Sequence, residues 1–278
     1  MHAYTGSFST ADGLTLFTRT YLPETTARAA VIVSHGYAEH SGRYEALAAA
    51  LVAEGYAVYA LDHRGHGRSG GKRASVRVFG EYVGDLVRFI DRVRETRPHP
   101  PRFLFGHSMG GLIGLQLVLE HPEKVEGLAI TAAYLENAVK LSPTLARAAP
   151  LISRVAPDLP VQDLDTWALA RDEAVVQAYR SDPLVYHGKV RARLGFELLR
   201  SGPYVLRRAA SIELPILLQH GTADRLAAPA GSEAIFGALG GGDKTLKFYE
   251  GAYHEILNDY GREAVIADLL VWLNDRSA

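Results

Sequence analysis

The sequence predicts a mostly parallel, doubly wound α/β sheet with helices on both faces and an inserted helical cap. Three observations carry this reading. Short continuous apolar runs, of the kind parallel strands covered on both faces require, alternate with amphipathic stretches at helical spacing. A Gly-x-Ser-x-Gly pentapeptide, Gly106-His107-Ser108-Met109-Gly110, joins one such run to an apolar helix. From Tyr134 to Leu206 the alternation fails and apolar helical stripes replace it. The expected organisation is a core of residues 1–133 and 207–278 with a cap over 134–206.

Residues 7–22 alternate apolar and polar around an Asp12-Gly13 turn, which predicts an antiparallel hairpin at the sheet's edge. Ala29 to Ser34 is the first buried strand. Tyr44, Leu47, Leu51 and Val52 then repeat at helical spacing through residues 43–54, and Gly55 stands at the C-cap position. Tyr56 to Leu61 is the next strand, followed by a loop rich in glycine and charge, residues 62–71. Val83, Leu86, Val87, Ile90 and Val93 mark a helix over 80–97, which Pro98 to Pro101 break. Phe103 begins the strand that enters the pentapeptide, and Val125 to Thr131 supplies another. Within the cap, the stripe Leu141, Leu145, Ala148 and Ile152 reads as helix and no strand is clear. Strands resume at Ile216 to His220 and Thr245 to Tyr249, with helices near 231–239 and through Val271-Trp272-Leu273.

At 278 residues the chain can bury a full core, and 47% hydrophobic with 22% charged residues is ordinary for a globular protein. A net charge of −1 argues against nucleic-acid binding by bulk electrostatics. With no cysteine there is no disulfide, thiolate nucleophile or thiolate metal site. The first residues lack the basic and apolar regions of a signal peptide, and no apolar run is long enough to span a bilayer, so a cytoplasmic location is expected.

A strand–Gly-x-Ser-x-Gly–helix arrangement is a nucleophile elbow, which makes Ser108 the candidate nucleophile. Such a serine needs a base and a carboxylate to orient it, in the chain order serine, acid, histidine. His254 is the only histidine after Asp224, and Asp224 follows a strand's carboxyl end, where open α/β sheets place their sites. Asp158, Asp163, Asp165, Asp172 and Asp182 fall in the cap, Asp243 precedes its strand, and Glu255 is adjacent to the base; all are poorer acids. The oxyanion needs preorganised donors, and the backbone N–H groups of Met109 and Tyr37 are the two candidates. His35 reads as a structural partner of its loop. Asp62, His63 and His66 lack a further ligand at matching spacing, so no metal or other cofactor is expected.

Together these motifs resemble the monoglyceride lipases of the α/β-hydrolase superfamily. The resemblance rests on His35-Gly-Tyr-Ala-Glu-His-Ser-Gly-Arg-Tyr44, Leu61-Asp-His-Arg-Gly-His-Gly-Arg-Ser-Gly-Gly71, Phe105-Gly-His-Ser-Met-Gly-Gly111, Ser181-Asp-Pro-Leu-Val185 and Lys244-Thr-Leu-Lys-Phe-Tyr-Glu-Gly-Ala-Tyr-His254. It implies hydrolysis of monoacylglycerols to glycerol and fatty acid, with Ser108, Asp224 and His254 as triad and Tyr37 and Met109 as oxyanion donors. It further implies that Glu39 and Arg43 line the glycerol end of the pocket, and that an apolar cap rests transiently on a membrane or lipid droplet. The chain departs from the vertebrate members at Leu257, where they place a histidine, and in lacking their cysteines. A broader carboxylesterase or lysophospholipase with the same machinery is the alternative, and a non-catalytic binding protein on this fold is the third reading.

Overall fold

The computed structural model describes residues 1–96, 101–136, 138 and 143–277. β1 (His2–Ser9) and β2 (Thr15–Leu22) form the expected hairpin, in antiparallel register from His2 opposite Leu22 to Ser9 opposite Thr15. Its first strand starts at His2 rather than near residue 7. β3 (Ala29–Ser34), α1 (Glu45–Ala53), β4 (Tyr56–Leu61), α2 (Gly80–Thr96), β5 (Arg102–His107), α3 (Met109–Glu120) and β6 (Gly127–Thr131) follow. The expected break at Pro98 lies outside the described residues except for Pro101, which immediately precedes β5.

Between β6 and the next sheet strand lie α4 (Pro143–Val155), β7 (Pro160–Gln162), α5 (Glu173–Ser181), β8 (Val190–Arg191) and α6 (Ala192–Leu206). The expectation that this segment holds no strand is corrected, because β7 and β8 pair antiparallel. At three and two residues they are too short for a two-residue period to show in the sequence. Of the stripe assigned to its first helix, Leu141 lies outside the described residues. The chain returns to the sheet as β9 (Ile216–Gly221), α7 (Pro229–Ala238), β10 (Lys244–Tyr249) and α8 (Arg262–Asn274).

The eight-stranded sheet runs β1-β2-β4-β3-β5-β6-β9-β10, antiparallel around β2 and parallel from β4 onward. Successive strand residues point to opposite faces, and each face has its own core. Ala30 and Ile32 of β3 join Tyr59, Leu104 and Leu218 under α2, α3 and α7. Ala29, Val31 and Val33 join Val58, Phe105 and Leu217 under α1 and α8. That is why the parallel strands read as continuous apolar runs. The inserted segment is fastened to this body by α6, whose Leu194, Leu198 and Val205 share the core of α3. Glu197 accepts the Phe79 N–H at 2.8 Å, and His40 pairs with Asp182 at 2.9 Å. Among the described residues no helix is long and apolar enough to cross a membrane.

Candidate active site

Ser108 sits between β5 and α3 with φ 51° and ψ −115°, a left-handed conformation that costs a non-glycine residue about 1–3 kcal/mol. The surroundings hold it there: its N–H donates to Thr131 O at 2.9 Å, and its carbonyl accepts from Tyr134 N at 3.2 Å. The flanking glycines are required by close approach. A Cβ at Gly106 would lie 2.6 Å from Gly110 O, and one at Gly110 would lie 2.0 Å from Ser34 O on β3. The Gly110→Ala variant must push α3 away from the sheet, and about 1–3 kcal/mol of stability should be lost. Urea denaturation checks this, and a midpoint equal to wild type would contradict it.

The turns after β9 and β10 bring Asp224 and His254 together. His254 Nδ1 stands 2.7 Å from Asp224 Oδ2. The other carboxylate oxygen accepts the N–H groups of Leu226 and Ala227 at 2.8 and 3.0 Å. Burial opposes the Asp224 charge, but His254 and His220 outweigh it and hold the carboxyl well below the usual range. Burial likewise opposes protonation of His254, yet the Asp224 charge and hydrogen bond, with Glu255 and Glu39 adding, raise its pKa above the ordinary 6.5. The loop that carries His254 is tied down by the Ala223 N–H to Ala252 O bond at 3.0 Å and by buried Asp259, which pairs with Arg171 at 2.9 Å. His107, beside Ser108, packs its ring 4.8 Å from that of His254.

Ser108, Met109, Tyr37 and His254 open into one cavity of about 310 Å³, at the small end of ligand pockets. The sheet body contributes its polar groups, including Glu39 and Glu255. The inserted segment contributes mainly apolar ones, among them Ile152, Val161, Leu164, Phe196 and Leu199. At the polar part, Glu39 Oε1 accepts from Gly36 N and from the Tyr44 hydroxyl, each at 2.7 Å. Arg43 donates to Glu39 Oε2 at 2.9 Å and to both Glu255 oxygens at 2.6 and 2.7 Å. Its guanidinium lies 4.8 Å from the centre of the Tyr179 ring. Burial would raise the Glu255 pKa, but the Arg43 charge and its fork of hydrogen bonds bring it down to about 2. Of the two residues expected to line the pocket, Glu39 does and Arg43 does not; Arg43 lies behind it, in an ion pair that is buried and has a third, cavity-lining member, Glu255, which sequence reasoning weighed only as a rival acid.

The remaining candidates have partners of their own, although Asp163 and Asp165 also line the cavity. Asp158 pairs with Lys72 at 2.5 Å, Asp163 with Lys189 at 2.9 Å, and Asp243 with Arg276. Asp165 and Asp172 cap short helices. His35 Nδ1 lies 2.7 Å from Gly36 O and its Nε2 accepts the His63 N–H at 2.9 Å, the loop-holding role expected of it. Asp62 accepts from the Ser41 and Arg68 backbone N–H groups, each at 2.8 Å.

A family model described as serine aminopeptidase, S33, matches residues 25–261. The monoacylglycerol lipase of Mycolicibacterium smegmatis is 38% identical over 267 residues, covering 96% of this chain and 95% of that protein. The chain belongs to the monoglyceride lipase family of α/β-hydrolases. Human monoglyceride lipase is 36% identical over 271 residues, covering 96% of this chain and 89% of the human protein. The solved structure of the Paleococcus ferrophilus monoacylglycerol lipase superposes with a TM-score of 0.82 at 33% identity, covering 99% of this chain and all of the other. Leu257 packs in the core under α8 with Ile256 and Val265, while Glu255 faces the cavity.

Proposed function

We propose that the protein hydrolyses monoacylglycerols through an acyl-enzyme on Ser108. The observation that carries this reading is the opening of the strained elbow and the Asp224–His254 pair into one mostly apolar cavity. His254 takes the Ser108 proton as the oxygen bonds to the ester carbonyl carbon, and Asp224 holds the ring and stabilises the imidazolium. The carbonyl oxygen, now negative, receives the N–H groups of Tyr37 and Met109, each worth about 3 kcal/mol at the transition state. The C–O bond to glycerol then breaks and His254 returns the proton to the departing oxygen. Water, deprotonated by His254, attacks the acyl-enzyme, and the fatty acid leaves as Ser108 regains its hydrogen.

Residues 134–206 act in this scheme as the cap over a core of 1–133 and 207–278. Its apolar lining receives the acyl chain, and the end lined by Glu39, with Arg43 behind it, receives the glycerol. Leu151, Val155, Leu159 and Trp167 are exposed on the same segment, a surface suited to resting on lipid from the cytoplasmic side. An aminopeptidase reading is disfavoured, because a substrate's α-amino group would need a free carboxylate: of those lining the cavity, Glu39 and Glu255 share Arg43, Asp163 pairs with Lys189, and Asp165 accepts the Trp167 N–H. Comparing kcat/KM for a monoacylglycerol, a short-chain ester, a lysophospholipid and an aminoacyl amide tests the assignment. The monoacylglycerol should lead, and a clear lead for any of the others would displace it.

A further inference from the structure

The charged partner of His254 has a second ring behind it. His220, the penultimate residue of β9, is wholly buried, and its Nε2 lies 2.9 Å from Asp224 Oδ2, the same oxygen that holds His254. That nitrogen also lies 3.2 Å from Ala227 O. A carboxylate and a carbonyl are both acceptors, so Nε2 carries a hydrogen and donates. On the ring's far side, Nδ1 meets the buried Ser232 hydroxyl of α7 at 2.7 Å. Asp224 thus accepts from four donors: two backbone N–H groups on one oxygen and two imidazoles on the other.

We propose that His220, braced by Ser232, is a positioning residue that fixes the Asp224 carboxylate against His254. The proposal rests on the reading of Ser108, Asp224 and His254 given above. An aspartate oxygen shared between two rings has its direction set by both, and a carboxylate that cannot rotate keeps His254 in the tautomer and orientation its proton transfers need. His220 touches neither substrate nor the reacting atoms, and it acts through Asp224 alone. The other titratable groups that face His254 are its neighbour Glu255, Glu39 on the loop after β3, and His107, whose ring packs 4.8 Å away; Arg43 holds the two glutamates and Thr131 meets His107 Nδ1 at 2.9 Å, and none of them touches His220, so a change there leaves them in place.

The test is steady-state kinetics on a soluble p-nitrophenyl ester and on a monoacylglycerol, across pH, for His220→Leu, His220→Gln and Ser232→Ala. His220→Leu removes the donor, and kcat should fall about 10- to 100-fold, the equivalent of one hydrogen bond to a charged group, with KM within about twofold. With one donor gone the Asp224 charge acts more fully on His254, which holds its proton more tightly. The acid limb of kcat/KM should therefore move to higher pH by about half a unit. His220→Gln, which can still present an N–H, should recover most of kcat and return the limb toward wild type. Ser232→Ala should shift the limb in the same direction by less, and it provides the answer if His220→Leu does not fold. An unmoved limb in both His220→Leu and Ser232→Ala, or equal losses in the leucine and glutamine variants, would overturn the proposal. Covalent labelling of Ser108 in the wild-type protein by a fluorophosphonate reports on the nucleophile alone, so failure of that reading is recognised separately.

Discussion

Replacement of Ser108 by alanine should lower kcat for fatty-acid release from a monoacylglycerol by about 10⁵- to 10⁶-fold. On the proposed mechanism the variant removes the atom that forms the acyl bond and leaves the proposed oxyanion donors and the cavity in place, so substrate binding should persist while turnover is lost. The fold tolerates it, since alanine already occupies positive-φ positions at Ala38, Ala74 and Ala132. Asp224→Asn should cost about 10⁴-fold, because His254 Nδ1 then faces an amide in place of the carboxylate 2.7 Å away. The wild-type pH profile follows from the same pair. His254 must be unprotonated to accept the Ser108 proton, and its pKa is raised above 6.5, so kcat/KM should fall on acidification from a midpoint above that value. A midpoint below 6 would mean that Asp224 does not dominate the environment of His254.

Arg43→Ala should destabilise the protein by about 3–5 kcal/mol, the usual consequence of stripping the cation from a buried ion pair. Glu39 and Glu255, both buried, would keep only neutral donors: Gly36 N and Tyr44 for the first, Asn258 for the second. The sign of the pH dependence separates this from simple loss of packing. In the wild type the Glu255 pKa is depressed to about 2 from 4.5, so its contribution to stability is present above pH 4.5 and is lost as pH falls toward 2. In the variant Glu255, buried without its cation, favours the neutral form, and protonating it relieves its repulsion with Glu39. The stability gap between wild type and variant should therefore narrow as pH is lowered from 7 to 5, measured by urea denaturation. A gap that stays constant would assign the loss to the guanidinium's stacking on Tyr179.

Most of the sheet was legible in the sequence because burial on both faces writes its inner parallel strands as largely apolar runs, whereas the parallel edge strand β10 is partly exposed and mixes polar with apolar residues. β3, β4, β5 and β9 are buried along their entire length. The elbow was legible because steric demand at Gly106 and Gly110 leaves glycine as the residue that fits. Asp224 and His254 followed from chain order and from their places at strand ends. The Arg43–Glu255 pair joins residues 212 positions apart, a separation at which no local period connects them. His220 was passed over because it precedes Asp224 in the chain, although its i,i+4 relation to that aspartate, across the turn after β9, was a usable signal. The short ribbon β7–β8 lacked the length to show a period, and the lining of the cavity depends on how the inserted segment folds back, of which the motif Ser181–Val185 records only the Asp182 attachment to His40.

Titration with a fluorophosphonate, read by peptide mass spectrometry together with monoacylglycerol hydrolysis, tests the central role of Ser108 most directly. The tryptic peptide of residues 103–124 should carry the label on Ser108, excess monoacylglycerol should slow the labelling, and activity should fall in proportion to the fraction modified. Full modification of Ser108 with hydrolysis intact, or loss of activity with the label on another residue, would contradict the account.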